Sequence, residues 1–372
     1  MLLDAHHHLW YDLDEGGKTR HYFPARQRWH ICMRWAYTGL PPYNKDPKSL
    51  YERQLLRMSD YEGKYTIAGM DHWKINAATL FPVDYDYNFG QAAEISWEEK
   101  HQHASQLGAK YKGRILPYVQ IDPRRTNSLE LVKRAFEEYK NFFALKLVPG
   151  AGFYPWDPMC YPLYEYCLNN DIPVAICVEG LNTSYRKGRF CDPIHVGDMH
   201  TEFPDLKVIM LHTGFMFTHW FEQCICAAVD VNTWAEMDTW FTGAGFGQGA
   251  GMKSLRPNMY TNEEGLIRML AFAKSTCGAH KIMWGTDSSH GPSYAAPKDG
   301  VDHQGWTAPA KWIQSLPERG AKYGYDFTKE DADLIVGGTA AHVLKIKEDP
   351  SRKVPEKYGW KYRYPSPNWS GR

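Results

Sequence analysis

Short apolar runs recur along this chain, and the segments between them keep helical spacing. Eight such runs lie at residues 2–8, 75–82, 115–121, 144–148, 172–178, 206–212, about 231–241 and 281–287. Between two of them, Leu129, Val132 and Phe136 recur at the spacing of one helix face. Strands that alternate with helices form βαβ units around a parallel sheet. Eight such units predict a (β/α)8 TIM barrel, as a single domain over residues 1–347.

Two helix starts are predicted to the residue. Ser96 is followed three positions later by Glu99, and Thr328 is followed in the same way by Asp331. In this capping-box pattern, the side chain at each end satisfies a backbone N–H group at the other end. Helices are therefore predicted to begin after Ser96, running toward Leu107, and after Thr328.

Three segments do not fit the repeat. Residues 11–71 are polar and aromatic, so we expect an insertion that caps the barrel mouth, with a helix near residues 50–58. Residues 243–251 are rich in glycine and predict a loop after strand seven. Residues 348–372 are rich in proline and aromatic residues, and they predict an irregular C-terminal extension on the domain surface or on a neighbouring subunit.

Charge and composition exclude several kinds of partner. The chain has 43 Lys+Arg and 43 Asp+Glu, so a net charge of zero gives no reason to expect binding to nucleic acid or to an anionic membrane. No apolar run reaches the roughly 18 residues of a membrane-spanning helix, and the first residues do not resemble a signal peptide. The 8 Cys form no C-x-x-C pair, which favours a reduced compartment. We expect a cytoplasmic protein that acts on a small molecule.

The ends of strands one, six and eight carry histidine and carboxylate side chains, and active sites of TIM barrels lie at these strand ends. Side chains alternate along a strand, so His6 and His8 share a face and His7 lies on the other. Two imidazoles at positions i and i+2 can bind one cation together. His212 ends strand six as a candidate ligand or general base, and Asp287 ends strand eight as a candidate ligand or proton carrier. A core histidine and a helix N-cap are the structural alternatives for these two residues.

The strand-one motif and six later segments form an ordered set. The chain opens with Asp-Ala-His-His-His-Leu-Trp at residues 4–10. The later segments are Phe-Pro-Val-Asp at 81–84, Asp-Pro-Arg at 122–124, Ala-Leu-Lys-Leu-Val-Pro-Gly at 144–150, Phe-Pro-Asp-Leu-Lys-Val-Ile-Met-Leu-His at 203–212, Gly-Thr-Asp at 285–287 and Gly-Gly-Thr-Ala-Ala-His at 337–342. This set resembles the amidohydrolase superfamily, and in particular the amidohydrolase-related branch that includes aminocarboxymuconate-semialdehyde decarboxylase. The similarity spans nearly the whole chain outside the insertion and the C-terminal extension.

The resemblance implies a barrel with one divalent metal ion, for which we expect zinc first and manganese second. It implies His6 and His8 as ligands, His212 as a ligand or base, and Asp287 as a ligand or proton carrier. It also implies a homodimer, in which the C-terminal extension would take part.

One position departs from the family pattern. Relatives usually carry a histidine ligand at the end of strand five, and here Cys177 occupies that place, with Glu179 on the same face. Three interpretations follow. Cys177 binds zinc as a thiolate, or Glu179 reaches the metal and gives a harder site suited to manganese or zinc, or the ligand is lost and the metal binds weakly or not at all.

Two basic side chains are candidates for substrate binding. Lys146 shares a strand-four face with Ala144, and a lysine that points into the barrel is costly unless it meets a carboxylate, a metal or a substrate. Arg34 lies in the insertion with Arg26 and Arg28 among aromatic residues, a combination that suits a planar, carboxylated substrate. A solvated lysine and a charged surface under a lid are the alternatives.

These residues support three functional hypotheses. The first, which we expect, is a metal-dependent hydrolase in which metal-activated water attacks a small aromatic or carboxylated substrate. The second is a non-oxidative decarboxylase of an aromatic or enoic acid with Asp287 as the proton donor, which the arginine- and aromatic-rich insertion slightly favours. The third is a catalytically inactive barrel that binds ligands. The presence of His6, His8, His212 and Asp287 argues against this third hypothesis.

Overall fold

The computed structural model describes residues 1–30, 59–179, 186–215, 217–243, 263–289 and 307–346. Several predictions fall elsewhere in the chain. The helix near 50–58, residues 244–251 of the glycine-rich loop, the extension at 348–372 and Arg34 all lie outside the described residues.

Eight parallel strands form one sheet whose spatial order follows the order of the chain. We number them β1 to β8: Leu3–Asp4, Ala77–Leu80, Ile115–Gln120, Ala144–Leu147, Val174–Cys177, Val208–Leu211, Thr233–Glu236 and Ile282–Met283. The first and last strands meet, because the Ala5 amide donates to the Trp284 carbonyl (3.0 Å) and the Asp287 amide donates to the His6 carbonyl (2.8 Å). Beyond them, Ser288–Ser289 pairs in parallel with His7–His8. The predicted TIM barrel is confirmed.

Helices follow the strands around the outside of the sheet. Their bounds are Lys64–Trp73, Asp86–Phe89, Trp97–Lys110, Ser128–Arg134, Tyr161–Asn169, Ile194–Glu202, Thr218–Ala227, Asp238–Gly243, Glu263–Cys277, Thr307–Gln314, Leu316–Lys322, Lys329–Asp333 and Thr339–Val343. Wider π-helical turns continue two of them, at Ala135–Tyr139 and Leu334–Gly338. A short antiparallel hairpin, Leu13–Glu15 with Lys18–Arg20, lies in the predicted insertion.

Both predicted capping boxes are present. The Ser96 hydroxyl accepts from the Glu99 amide (3.2 Å), and the Glu99 carboxylate accepts from the Ser96 amide (2.9 Å). Thr328 and Asp331 form the same reciprocal pair. Each pair satisfies backbone N–H groups that the first helical turn leaves without a partner.

Three predicted runs give shorter strands, and the run at 281–287 contributes only the two residues of β8. The run at 2–8 divides into β1 and the separate pair His7–His8. The run at 231–241 gives only the four residues of β7, because the chain turns into a helix at Asp238. Asp238 lies in the first turn of this helix, where an acidic side chain is stabilised by the helix dipole.

Alternate residues of the central strands belong to different hydrophobic clusters. Leu145 and Ile176 belong to the cluster that includes Leu163 of an outer helix. Their neighbours Ala144 and Cys177 belong to the other cluster. The second set faces the barrel interior, and Lys146, which follows Ala144 by two residues, is buried on that side. At the opposite end of the barrel, the buried Lys281 ammonium donates to the backbone carbonyls of Asp230, Val231 and Thr233. Among the described helices, none is long and apolar enough to cross a membrane.

Candidate active site

His6, His8 and Asp287 meet where β1 and β8 end. Asp287 Oδ1 lies 3.4 Å from His6 Nε2 and 3.1 Å from His8 Nε2. One potential ligand atom from each residue lies within 4.8 Å of the others. The structure thus brings together three residues that the sequence placed at separate strand ends.

Lys146 reaches the same place from β4. Its ammonium nitrogen lies 3.2 Å from His6 Nε2 and 3.8 Å from the centre of the Phe81 ring. Burial lowers the pKa of Lys146, whereas Cys177 and Asp287 act in the opposite direction. The predicted inward orientation of Lys146 places a cation beside the histidines.

His212 lies behind His6, together with two carboxylates from the end of β7. His212 Nδ1 donates to Asp238 Oδ2 over 2.8 Å. His6 Nδ1 lies 3.0 Å from the same Asp238 oxygen and 3.0 Å from Glu236 Oε2. All four side chains are fully buried, and their ligand atoms also lie within 4.8 Å of one another. His6 therefore belongs to two clusters, one on each side of its ring.

Two of these residues were missed by the sequence analysis. Glu236 and Asp238 stand at positions i and i+2 where β7 ends, which is the same spacing that identified His6 and His8. The spacing was therefore visible in the sequence. Because the predicted strand continued to residue 241, however, Glu236 and Asp238 were not recognised as lying at a strand end.

The backbone at these positions is unusual. His212, Thr213 and Asp287 have φ values of 67°, 42° and 49°, in the left-handed region that non-glycine residues rarely adopt. Gly214 follows with φ 69°, and a Cβ there would lie 2.4 Å from the Trp220 backbone. Strained residues of this kind cluster at functional sites, where the surrounding structure holds them in place.

Cys177 faces this interior from β5. Burial raises the pKa of its thiol, but the nearby Lys146 and His212 have the larger combined effect and lower the pKa to about 7. By contrast, burial raises the pKa of the Cys167 thiol well above its usual value, which is typical of an inert core cysteine. Cys177 is thus the buried cysteine that its surroundings favour as a thiolate.

Glu179 forms an ion pair with Arg186, whose guanidinium also donates to the Tyr85 hydroxyl (3.3 Å). Neither Cys177 nor Glu179 belongs to a cluster of three or more potential metal ligands within the described part of the chain. Their roles as ligands stay predictions. Arg186 was not predicted, because it lies in a loop without periodicity.

The donors of the first cluster fit a divalent cation. Imidazole nitrogens and carboxylate oxygens are suitable ligands for zinc and manganese. Ligand histidines must be neutral, and burial together with Lys146 lowers the pKa of His8 to about 4. Burial also holds the pKa of His6 well below its usual value. In the second cluster, His212 Nε2 and Glu236 Oε1 are buried and make no hydrogen bond to any described residue.

The fold and this site define a TIM-barrel protein with a centre of histidines and carboxylates at the C-terminal ends of its strands. The family model described as amidohydrolase matches residues 3–346. The chain belongs to this family, and the resemblance seen in the sequence is confirmed. No curated protein matches the sequence.

Solved structures share the fold over nearly the whole chain. 5-Carboxyvanillate decarboxylase from Sphingomonas paucimobilis is 12% identical, with a TM-score of 0.57, and covers 93% of this chain and 99% of its own. A dihydroxybenzoic acid decarboxylase from Polaromonas sp. JS666, with bound manganese and 2-nitroresorcinol, is 13% identical, with a TM-score of 0.57 and coverage of 94% and 98%. 4-Oxalomesaconate hydratase from Rhodopseudomonas palustris is 14% identical, with a TM-score of 0.50 and coverage of 93% and 96%. At these identities the likeness is one of fold.

Proposed function

We propose that this protein is a metal-dependent decarboxylase of an aromatic or enoic carboxylic acid. The observation that carries the proposal is the pair of buried cations beside the His6–His8–Asp287 cluster. Lys146 contacts His6 directly. Arg186 is close enough for its charge to lower the pKa of His8 and of Cys177. Two cations in a buried site favour a substrate that carries a carboxylate.

The similar structures support this proposal over hydrolysis. Two of them are decarboxylases of hydroxylated benzoic acids, and one of these holds manganese. A carboxylated aromatic ring is also the kind of substrate for which Phe81, whose ring lies under Lys146, offers an apolar contact.

In the proposed reaction, the residues of this chain have separate roles. His6, His8 and Asp287 would hold the divalent cation, which supplies stabilisation of negative charge on a substrate oxygen. Arg186 and Lys146 would pair with the carboxylate and orient it. Loss of CO2 leaves an electron pair on carbon, so one proton must reach that carbon. Asp287 and His212 are the two groups that can deliver it.

Hydrolysis remains a second candidate because of one specific feature. His212 donates to a fully buried carboxylate, Asp238, through Nδ1, and its Nε2 makes no hydrogen bond to a described residue. A histidine oriented in this way is typical of a general base that takes a proton from water.

The two candidates predict different labelled products. The metal-loaded enzyme is tested against a panel of hydroxybenzoic, vanillic and enoic acids, and against esters and amides of the same acids. Decarboxylation releases CO2 and places one solvent deuterium on carbon. Incorporation of solvent 18O without CO2 would instead establish hydrolysis.

Two variants test the cations. We expect Lys146→Met and Arg186→Met to lose activity at least about tenfold, since each removes a charge-assisted contact. Arg189→Met is the matched control, because Arg189 is an exposed arginine in the same region. Ligand-induced stabilisation without turnover of any substrate would favour an inactive, ligand-binding barrel.

A further inference from the structure

One oxygen atom lies between the two functional histidines. Asp238 Oδ2 is 3.0 Å from His6 Nδ1 and 2.8 Å from His212 Nδ1. The three side chains are fully buried. The two imidazole rings lie side by side, with centroids 4.7 Å apart.

This contact determines where the ring protons are. A carboxylate oxygen accepts hydrogen bonds, so the Nδ1 atoms that face these oxygens carry hydrogen, His212 Nδ1 toward Asp238 and His6 Nδ1 toward Asp238 and Glu236. The Nε2 atoms of both rings then face away from Asp238. His6 Nε2 lies toward Lys146 and Asp287, and His212 interacts with the Cys177 thiol.

The helix that begins with Asp238 is also attached to His212. Asp238 begins the helix Asp238–Gly243, and Trp240 of that helix donates its indole N–H to the backbone carbonyls of His212 (3.1 Å) and Thr213 (3.0 Å). These two bonds attach the helix to the left-handed turn at His212. The carboxylate and the imidazole are therefore held at a fixed separation.

We propose that Asp238 is the positioning residue of this centre, and that it fixes the Nδ1–H form of His212 and, together with Glu236, that of His6. The metal ligand and the proton-transfer residue then expose Nε2 to the site at the same time. The consequence for catalysis rests on the proposed function, whereas the assignment of the ring protons does not. Asp238 acts through the two histidines and touches no reacting atom.

Glu236 has a different place in this network. Its Oε2 is 3.0 Å from His6 Nδ1 and 3.4 Å from the His212 backbone amide, so it contacts only one of the two rings. Because it shares the His6 proton and does not reach the His212 ring, Glu236 is the matched control for Asp238. Glu236→Gln keeps the shape of the side chain and leaves Asp238 in contact with both rings.

The test is long-range 1H–15N NMR on metal-free protein labelled at histidine nitrogen, with His6→Gln and His212→Gln to assign the signals. We expect an Nδ1-bound, slowly exchanging proton at both histidines in the wild type and in Glu236→Gln. Asp238→Ala, which removes the carboxylate that His212 Nδ1 faces, should lose this proton at His212, whereas His6 keeps Glu236 as an acceptor. Persistence of the His212 Nδ1 proton in a folded Asp238→Ala variant would overturn the proposal.

A second measurement is the affinity for manganese or zinc, by competition with a chelator. Loss of a carboxylate behind a ligand histidine typically weakens metal binding about 10- to 100-fold. We expect this loss in Asp238→Ala, accompanied by a lower kcat at an unchanged KM. If the wild type has both Nδ1 protons but shows no turnover, the proposed function is refuted, whereas the positioning role of Asp238 still stands. An active enzyme whose Asp238→Ala variant keeps the His212 Nδ1 proton and full metal affinity would do the reverse.

Discussion

Two buried lysines show how the surroundings of a side chain decide its contribution to stability. Lys281 donates to three backbone carbonyls, whereas Lys146 has one hydrogen bond, to an imidazole nitrogen. A buried charge with few partners lowers the stability of the fold, and such charges persist at sites that use them. Lys281 has the arrangement of a structural residue, and Lys146 that of a functional one.

Substitution of each lysine by methionine should therefore have opposite effects. We expect Lys146→Met to raise the free energy of unfolding by about 1 kcal/mol, because removing an incompletely paired buried charge is often stabilising. Lys281→Met should lower it by about 2 kcal/mol, since it leaves carbonyls without a donor. Urea denaturation measures both. An equal loss of stability in the two variants would mean that Lys146 is structural.

The role of Cys177 can be tested against that of His8. The geometry groups His8, and not Cys177, with Asp287. We expect Cys177→Ala to bind manganese or zinc within about threefold of the wild type, and His8→Ala to bind at least about a hundredfold more weakly. Elemental analysis and chelator competition measure this. Metal lost from both Cys177→Ala and Cys177→Ser, with both variants folded, would instead identify the sulfur atom as a ligand.

At the scale of the element, the sequence predicted what depends on local patterns. The apolar runs located every barrel strand, and the residue pairs Ser96/Glu99 and Thr328/Asp331 located two helix starts. Alternation along β4 also placed Lys146 inside the barrel. These features depend on residues that are close together in the sequence, which is why the sequence alone predicts them.

Features that depend on distant contacts were not predictable in the same way. The pairing of β7 with β8 extends to the Met237 amide, which donates to the carbonyl of Met283 at the end of β8, and the helix begins immediately afterwards at Asp238. Without that contact, the strand end at Glu236 and the functional position of Asp238 could not be assigned. Arg186 reaches Glu179 and Tyr85 through a loop whose course no periodicity encodes.

The helix Trp97–Lys110 gives a prediction of pH dependence. His101 Nδ1 donates to the Trp97 carbonyl (2.8 Å), and His101 Nε2 accepts from the Gln120 amide of β3 (3.1 Å). Acceptance at Nε2 needs a neutral ring, and burial lowers the pKa of His101 to about 3. Between pH 6.5 and 3 the unfolded chain binds the proton and the folded chain does not, so stability falls as the pH falls.

His101→Gln should remove this dependence, because an amide oxygen still accepts from Gln120 and does not titrate. We expect the wild type to lose roughly 2 kcal/mol more stability than the variant between pH 7 and pH 5. Chemical denaturation at a series of pH values measures the difference. The exposed His72→Gln is the control, and parallel curves for the wild type and His101→Gln would contradict the argument.

At the scale of the whole molecule, the candidate centre lies on the seam that closes the barrel. The described seam includes the Ala5 amide bound to Trp284, the Asp287 amide bound to His6, and the pairing of Ser288–Ser289 with His7–His8. The proposed ligands come from both sides of this seam, His6 and His8 from one and Asp287 from the other. A cation held by all three would cross-link the first and last strands, which are almost 280 residues apart in the chain.

Metal binding should therefore stabilise the barrel as a whole and the seam most of all. At about 100 times the dissociation constant, manganese or zinc should raise the free energy of unfolding by about 2.7 kcal/mol, and a chelator should reverse this. In hydrogen exchange, the amides of Ala5 and Asp287 should gain protection, because both donate across the seam. His8→Ala should show neither effect. Stabilisation by metal without added protection at these two amides would place the bound cation away from the seam, and so away from His6, His8 and Asp287.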